Sequence, residues 1–105
     1  MKQQLLQTYY SNPLINDDFS DPSVIEVKDR GYFAYATHDE FSPTINNILV
    51  KHSWDLIHWS EAEGALLSPP VWATHCKRFW CPHVVKVGNK FRLYYAAEPD
   101  TKVFL

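Results

Sequence analysis

A chain of 105 residues is long enough for one small domain, and its apolar fraction of 46% is typical of a packed globular protein. The formal net charge of −2 is dispersed, which disfavours nucleic acid or an anionic membrane surface as a partner. No apolar run approaches the ~20 residues of a membrane helix, and residues 1–10 lack a signal-peptide core. These features predict a cytoplasmic protein. Its two cysteines fit reduced thiols rather than a disulfide framework.

Short strands joined by turns follow an irregular or edge segment over residues 1–18. The pattern predicts four strands, at Ser23–Lys28, Tyr32–Thr37, Ile48–Ser53 and His58–Ala62. A tight turn with a glycine (29–31), a polar loop (38–46) and a second turn (54–57) connect them. Because no convincing amphipathic helix interrupts the strands, the fold class is predicted to be antiparallel all-β.

One carboxylate stands at the mouth of the first strand. Asp21 precedes Pro22, which lacks a backbone N–H and is expected to hold the residue before it in an extended conformation. The Asp21 side chain can then point into a cleft, as a catalytic carboxylate does. An ordinary Asp-Pro turn is the alternative that this stretch alone leaves open.

The chain also contains an internal repeat. Residues 81–97 align with residues 21–37 at a constant offset of 60, without a gap and with five identities in 17 positions. The turn around Gly31 is answered by one around Gly88, and the apolar rhythm of the strands recurs. Cys81 falls on Asp21, so the repeat does not carry the carboxylate.

A repeating four-stranded antiparallel unit is typical of a β-propeller blade. The sequence predicts blade one at about residues 18–67 and the start of blade two at residues 80–105, with a further strand beginning at the end of the chain. A full ring needs ~4–8 blades, so we expect a fragment of a propeller. Its open edges predict that the isolated chain is unstable or self-associating and hydrolytically inactive.

Several motifs carry a family resemblance over about residues 12–97. They are Asn12-Pro13, Phe19-Ser20-Asp21-Pro22-Ser23-Val24, Tyr32–Thr37, Ser53–Trp59, Phe79–Val84 and Lys90–Tyr95. In this order they resemble the opening of glycoside hydrolase family 43, which comprises arabinofuranosidases, xylosidases and arabinanases. The resemblance implies a five-bladed β-propeller, of which this chain is the first blade and part of the second. One departure is Cys81, which stands where the family's Trp-Ala-Pro motif has alanine.

The resemblance also implies an inverting mechanism with three acids near the propeller axis. Asp21 matches the general base, while the second Asp and the Glu general acid are expected on later blades, beyond Leu105. An inverting glycosidase needs two carboxyl groups ~6.5–9.5 Å apart, because one group cannot activate water and protonate the leaving oxygen together. No cofactor is expected.

Trp80 and His83 are the candidate substrate-binding residues. Trp80 leads into the second inner strand and can stack on a sugar face, with packing between blades as the alternative. His83 is expected to face the funnel. Trp54 and Trp59 flank an outer turn and are expected to pack. No metal site is predicted, because the spacing of His75, Cys76, Cys81 and His83 matches the usual zinc knuckles poorly.

Three functions fit these observations. The first is an inverting glycosidase acting on arabinose- or xylose-containing polysaccharides. The second is a non-catalytic propeller that binds carbohydrate or protein. The third is a related five-bladed family that cleaves sucrose or fructan, whose base motif normally shows Asn or Trp near the acid rather than Ser20-Asp21-Pro22.

Overall fold

The computed structural model describes residues 9–39 and 42–99, and these residues are almost entirely β-structure. The strands are β1 (Ser23–Val27), β2 (Gly31–Ala36), β3 (Leu49–Ser53), β4 (Glu63–Gly64), β5 (Cys76–Val87) and β6 (Lys90–Pro99). A single turn of 3-10 helix, Val71–Ala73, precedes β5. The antiparallel all-β prediction is therefore confirmed. Residues 1–8 of the predicted leading segment and the strand predicted near residue 103 lie outside the described residues.

The strands form two antiparallel sheets. The first sheet has the order β1-β2-β3-β4, and the second consists of the hairpin β5-β6. The hairpin at residues 23–36 recurs about 60 residues later, with its register shifted by one residue. Ile25 lies opposite Phe33 in the first hairpin, whereas Val85 lies opposite Arg92 rather than Leu93 in the second. The second hairpin begins earlier than the repeat predicts, at Cys76, and its register shifts between Trp80 and His83.

The hydrophobic core lies where the two sheets meet. Ile48, Ala73 and Phe79 are fully buried. Six partly buried side chains pack around them, namely Tyr35, Ala65, Cys76, Leu93, Tyr95 and Ala97. Both β1 and β2 approach β5. The backbone N–H of His38, just after β2, donates to the carbonyl of Phe79 at 2.8 Å, so a main-chain hydrogen bond also joins the sheets.

The fourth strand was predicted wrongly at His58–Ala62, because side chains hold the chain in turns before it can pair. The Ser53 hydroxyl accepts the N–H groups of Asp55 and Leu56, at 3.1 and 2.8 Å. The Asp55 carboxylate accepts those of Ile57 and His58, at 2.9 and 2.8 Å. The hydrogen bonds to the Asp55 carboxylate, those from His58 foremost, hold the pKa of Asp55 well below its usual range. Ser60 makes one backbone hydrogen bond to β3, its N–H donating to the carbonyl of His52 at 2.9 Å, and the fourth strand pairs at Glu63–Gly64.

A buried amide continues the pairing beyond β4. Asn47 is 1% exposed, and its side chain accepts the N–H of Leu66 and donates to the carbonyl of Leu66, both at 3.0 Å. An amide has both donor and acceptor groups, so it can take the place of a backbone peptide in a ladder. The loop after β4 is thereby held against the start of β3.

The turn between β1 and β2 depends on glycine for two reasons. Gly31 has φ +89°, and a Cβ atom there would lie 2.7 Å from the carbonyl oxygen of Ser53. Gly88, in the corresponding turn of the second hairpin, has φ +63° and open space around it. The two glycines therefore share the conformational requirement but not the steric one.

We expect Gly31→Ala to lower the free energy of unfolding by about 2 kcal/mol or more, because backbone strain and a main-chain clash coincide. Gly88→Ala is the matched control and should cost about 1 kcal/mol, since only the left-handed backbone is penalised. Urea unfolding of the full native product, followed by tryptophan fluorescence, measures both. Equal losses would show that the approach to Ser53 does not constrain this turn.

Candidate active site

Asp21 lies just outside the first strand, two residues before β1 begins. Its φ is +53°, so the expectation of an extended residue before Pro22 was wrong. Left-handed backbone costs most residues about 1 kcal/mol or more, and Asp tolerates it better than most because its short side chain can bond locally. The side chain is exposed. A strained, exposed carboxylate beside a sheet junction is a candidate functional group.

The same backbone geometry recurs at Cys81. Its φ is +51°, and like Asp21 it precedes a proline. The repeat therefore extends from the sequence to the backbone conformation, although only the first copy carries an acid. In the second hairpin this residue lies within the register shift between Trp80 and His83.

Thr37 joins these two left-handed residues. Its hydroxyl donates to Oδ2 of Asp21 at 2.8 Å and accepts the backbone N–H of Cys81 at 3.1 Å. The thiol of Cys81 lies 3.7 Å from the same carboxylate oxygen. Both side-chain donors thus meet Oδ2, and within the described residues Oδ1 of Asp21 has no hydrogen-bond partner. The carboxylate is held by one oxygen and open at the other.

The carboxylate also changes the chemistry of the cysteine. Desolvation, the charge of Asp21 and the hydrogen bond to it together raise the pKa of the Cys81 thiol. Cys81 is therefore a poor nucleophile at neutral pH, despite its exposure. Both cysteines are free thiols.

The two predicted substrate-binding residues lie on β5 near this point. Trp80 is 38% exposed, on the opposite side of the strand from the buried Phe79. His83 is exposed and lies opposite Tyr94 in the ladder. Among the residues that the structure describes, no hydrogen bond or ring contact joins either side chain to Asp21. Their role in binding stays a prediction.

The expectation that both Trp54 and Trp59 pack is contradicted at Trp54 and holds in part at Trp59. Trp54 is 71% exposed but meets the ring of His52 edge to face, with centroids 4.9 Å apart. Trp59 is half-buried and donates its indole N–H to the carbonyl of Leu56 at 3.1 Å. Over residues 9–39 and 42–99, no group of three or more His, Cys, Asp or Glu side chains is arranged to hold a metal ion.

A polar cleft is lined by residues of β3 and of the segment before β1. It has a volume of about 260 Å³ and is rich in carboxylates, among them Asp17 and Glu61. Lys51 lies beneath it, only 6% exposed, paired with Asp17 at 2.5 Å and placed 5.8 Å from the centre of the Phe19 ring. The buried ammonium is thus paired. We interpret this cleft as structural.

Sequence reasoning missed Thr37 and His38. Thr37 was placed at the end of the second strand and His38 at the start of a polar loop. In the structure each ring nitrogen of His38 lies 2.9 Å from a backbone carbonyl, of Lys77 and of Ile45. The sequence contained one sign that Thr37 is special. The first copy of the repeat has a hydroxyl side chain at this position, whereas the second copy has the apolar Ala97.

The two antiparallel sheets, their repeated hairpins and the carboxylate at their junction define part of a β-propeller with a candidate hydrolytic site. The profile of Glycosyl hydrolases family 43 matches residues 10–104, so the chain belongs to this family. No curated protein matches the chain. Within the described residues, no helix is long and apolar enough to cross a membrane.

Three solved structures share the fold. The arabinanase Arb43A of Bacillus subtilis has a TM-score of 0.65 and 20% identity, over 81% of this chain and 30% of its own. An exo-1,5-alpha-L-arabinanase from a bovine ruminal metagenomic library has a TM-score of 0.63 and 19% identity, over 85% and 29%. The endo-arabinanase of Bacillus licheniformis has a TM-score of 0.62 and 21% identity, over 85% and 30%. This chain thus spans less than a third of their length.

The contact between Asp21 and Cys81 can be tested by thiol reactivity. We expect Asp21→Asn to lower the pKa of the Cys81 thiol, because the negative charge beside it is removed. A lower pKa means more thiolate at pH 8, so alkylation of Cys81 by iodoacetamide in the full native product should be about threefold faster. Peptide mass spectrometry separates Cys81 from Cys76. Asp29→Asn, at another left-handed aspartate, should leave the rate unchanged, and an equal rate in both variants would refute the contact.

Proposed function

We propose that these residues belong to an inverting glycosidase that acts on arabinose- or xylose-containing polysaccharides or oligosaccharides, with Asp21 as its general base. Arabinan is the substrate class favoured here, since the three solved structures named above are arabinanases. In this proposal residues 18–67 form the first blade and residues 80–105 begin the second blade of a five-bladed ring.

The observation that carries the proposal is the arrangement of the Asp21 carboxylate. Oδ2 is held by the Thr37 hydroxyl and approached by the Cys81 thiol. A general base needs an unblocked oxygen within hydrogen-bond reach of the attacking water. Oδ1 of the exposed Asp21 fits this role.

The mechanism follows from the stereochemistry of inversion. Oδ1 of Asp21 takes a proton from water as the water oxygen bonds to the anomeric carbon, and the glycosidic oxygen leaves with a proton from a general acid. Because Asp21 cannot perform both transfers, we expect the acid on another blade of the ring. Trp80 and His83 on β5 are proposed to contact the sugar, Trp80 by stacking.

Replacement of Asp21 tests the catalytic assignment. In the full native product that contains these residues, Asp21→Asn should lower kcat/KM for arabino-oligosaccharides by at least about 100-fold, since a general base contributes roughly 10²–10⁴. Asp29→Asn is the control, because Asp29 is also exposed with φ +64° but lies in the β1–β2 turn. ¹H NMR of the first product should show the inverted anomer.

Near-normal turnover by Asp21→Asn, or a product of retained configuration, would contradict the assignment. Carbohydrate binding without any hydrolysis by the native product would instead favour the non-catalytic propeller. Activity confined to sucrose or fructan would favour the related five-bladed family.

The stacking role of Trp80 has its own test. We expect Trp80→Ala to raise KM by about fivefold with little change in kcat, because a lost aromatic contact is worth on the order of 1 kcal/mol. Trp54→Ala is the control, since Trp54 is more exposed and lies at the turn after β3. Steady-state kinetics on arabino-oligosaccharides measures both. Equal KM values in the two variants would assign Trp80 to packing alone.

A further inference from the structure

The hydroxyl of Thr37 is the only side-chain group within the described residues that bonds both to Asp21 and to the second sheet. Thr37 directly follows β2, and its own N–H donates to the carbonyl of Ser20 at 3.0 Å. The N–H of the next residue, His38, donates to the carbonyl of Phe79 at 2.8 Å. The backbone at Thr37 is therefore fixed on one side to the segment before Asp21 and on the other to the segment before Cys81.

The partners of the hydroxyl decide where its proton points. The backbone N–H of Cys81 can only donate, so the oxygen of Thr37 accepts at 3.1 Å. A hydroxyl has one proton, and the carboxylate of Asp21 can only accept when ionised, at 2.8 Å. The second sheet thus orients a hydroxyl proton towards Oδ2 of Asp21. Hydrogen bonds to an ionised acceptor are stronger than neutral ones.

This bond selects one oxygen of the carboxylate. Oδ2 is also the oxygen nearest the Cys81 thiol, at 3.7 Å, which is a longer and weaker contact. A carboxylate held at Oδ2 cannot rotate freely, so Oδ1 keeps one direction relative to the sheet junction. An exposed aspartate without such a bond would sample several rotamers.

We propose that Thr37 is a positioning residue for Asp21, which fixes Oδ2 so that Oδ1 faces the water to be activated. The inference rests on the proposed function, because it assigns Asp21 the role of base. Thr37 touches neither water nor sugar in the proton transfer. Its hydroxyl keeps its proton throughout, and the proton from water goes to Oδ1.

Thr37→Val tests the proposal, since valine keeps the β-branched shape but removes the hydroxyl. In the full native product we expect kcat to fall about tenfold, the loss of roughly one hydrogen bond to a charged group, with KM changed less than about twofold. Thr37→Ser should restore kcat.

Thr44→Val is the matched control, because Thr44 is exposed and its hydroxyl makes no hydrogen bond to a described residue. Thermal unfolding of all variants separates a loss of fold from a loss of positioning. A kcat in Thr37→Val equal to that of Thr44→Val would overturn the proposal. So would a failure of Thr37→Ser to recover activity in a folded protein.

The two proposals fail in different ways. If Asp21→Asn keeps its turnover, the proposed function fails. If Asp21→Asn is inactive and Thr37→Val keeps the kcat of Thr44→Val, Asp21 remains the base and the positioning role of Thr37 is refuted.

Discussion

The close approach of β2 to β5 is the constraint on which the rest of the structure depends. Tyr35 of β2 packs against the buried cluster that contains Phe79 of β5. Phe79 is itself fully buried. The hydrogen bond from His38 to Phe79 then becomes short and direct. Packing and main-chain bonding therefore fix the same junction.

The candidate site depends on this junction between the two sheets rather than on a single loop. Asp21 precedes the paired part of the first hairpin, and Cys81 lies at the register shift within the second. Thr37 spans the gap between them. A sheet is stiff, so a side chain held between two sheets keeps its geometry better than one on a flexible segment. The left-handed backbone at both residues adds strain that the surrounding hydrogen bonds offset. The first hairpin supplies the acid, and the second supplies the support that orients it.

The strands and the repeat could be predicted because both follow from local patterns. Alternating apolar residues place β1, β2 and β3 within a residue or two, and the offset of 60 finds the second hairpin. The prediction of the fourth strand was wrong because the side chains of Ser53 and Asp55 accept backbone N–H groups that a strand at this position would donate to its neighbour. The predicted conformation of Asp21 was wrong because tertiary contacts outweigh the preference of a residue before proline for extended backbone. Thr37 was missed because its partners lie 16 and 44 residues away.

The cysteine at position 81 shows how a small side chain can change without disturbing this junction. The support for Thr37 comes from the backbone N–H of Cys81, which an alanine, the residue of the family motif, would supply equally. The thiol adds a second and weaker donor to the oxygen of Asp21 that Thr37 already holds. It leaves Oδ1 open, and its raised pKa keeps it protonated beside the carboxylate. A thiolate there would repel the ionised acid, so the same contact that makes Cys81 unreactive also makes it compatible with a base at Asp21.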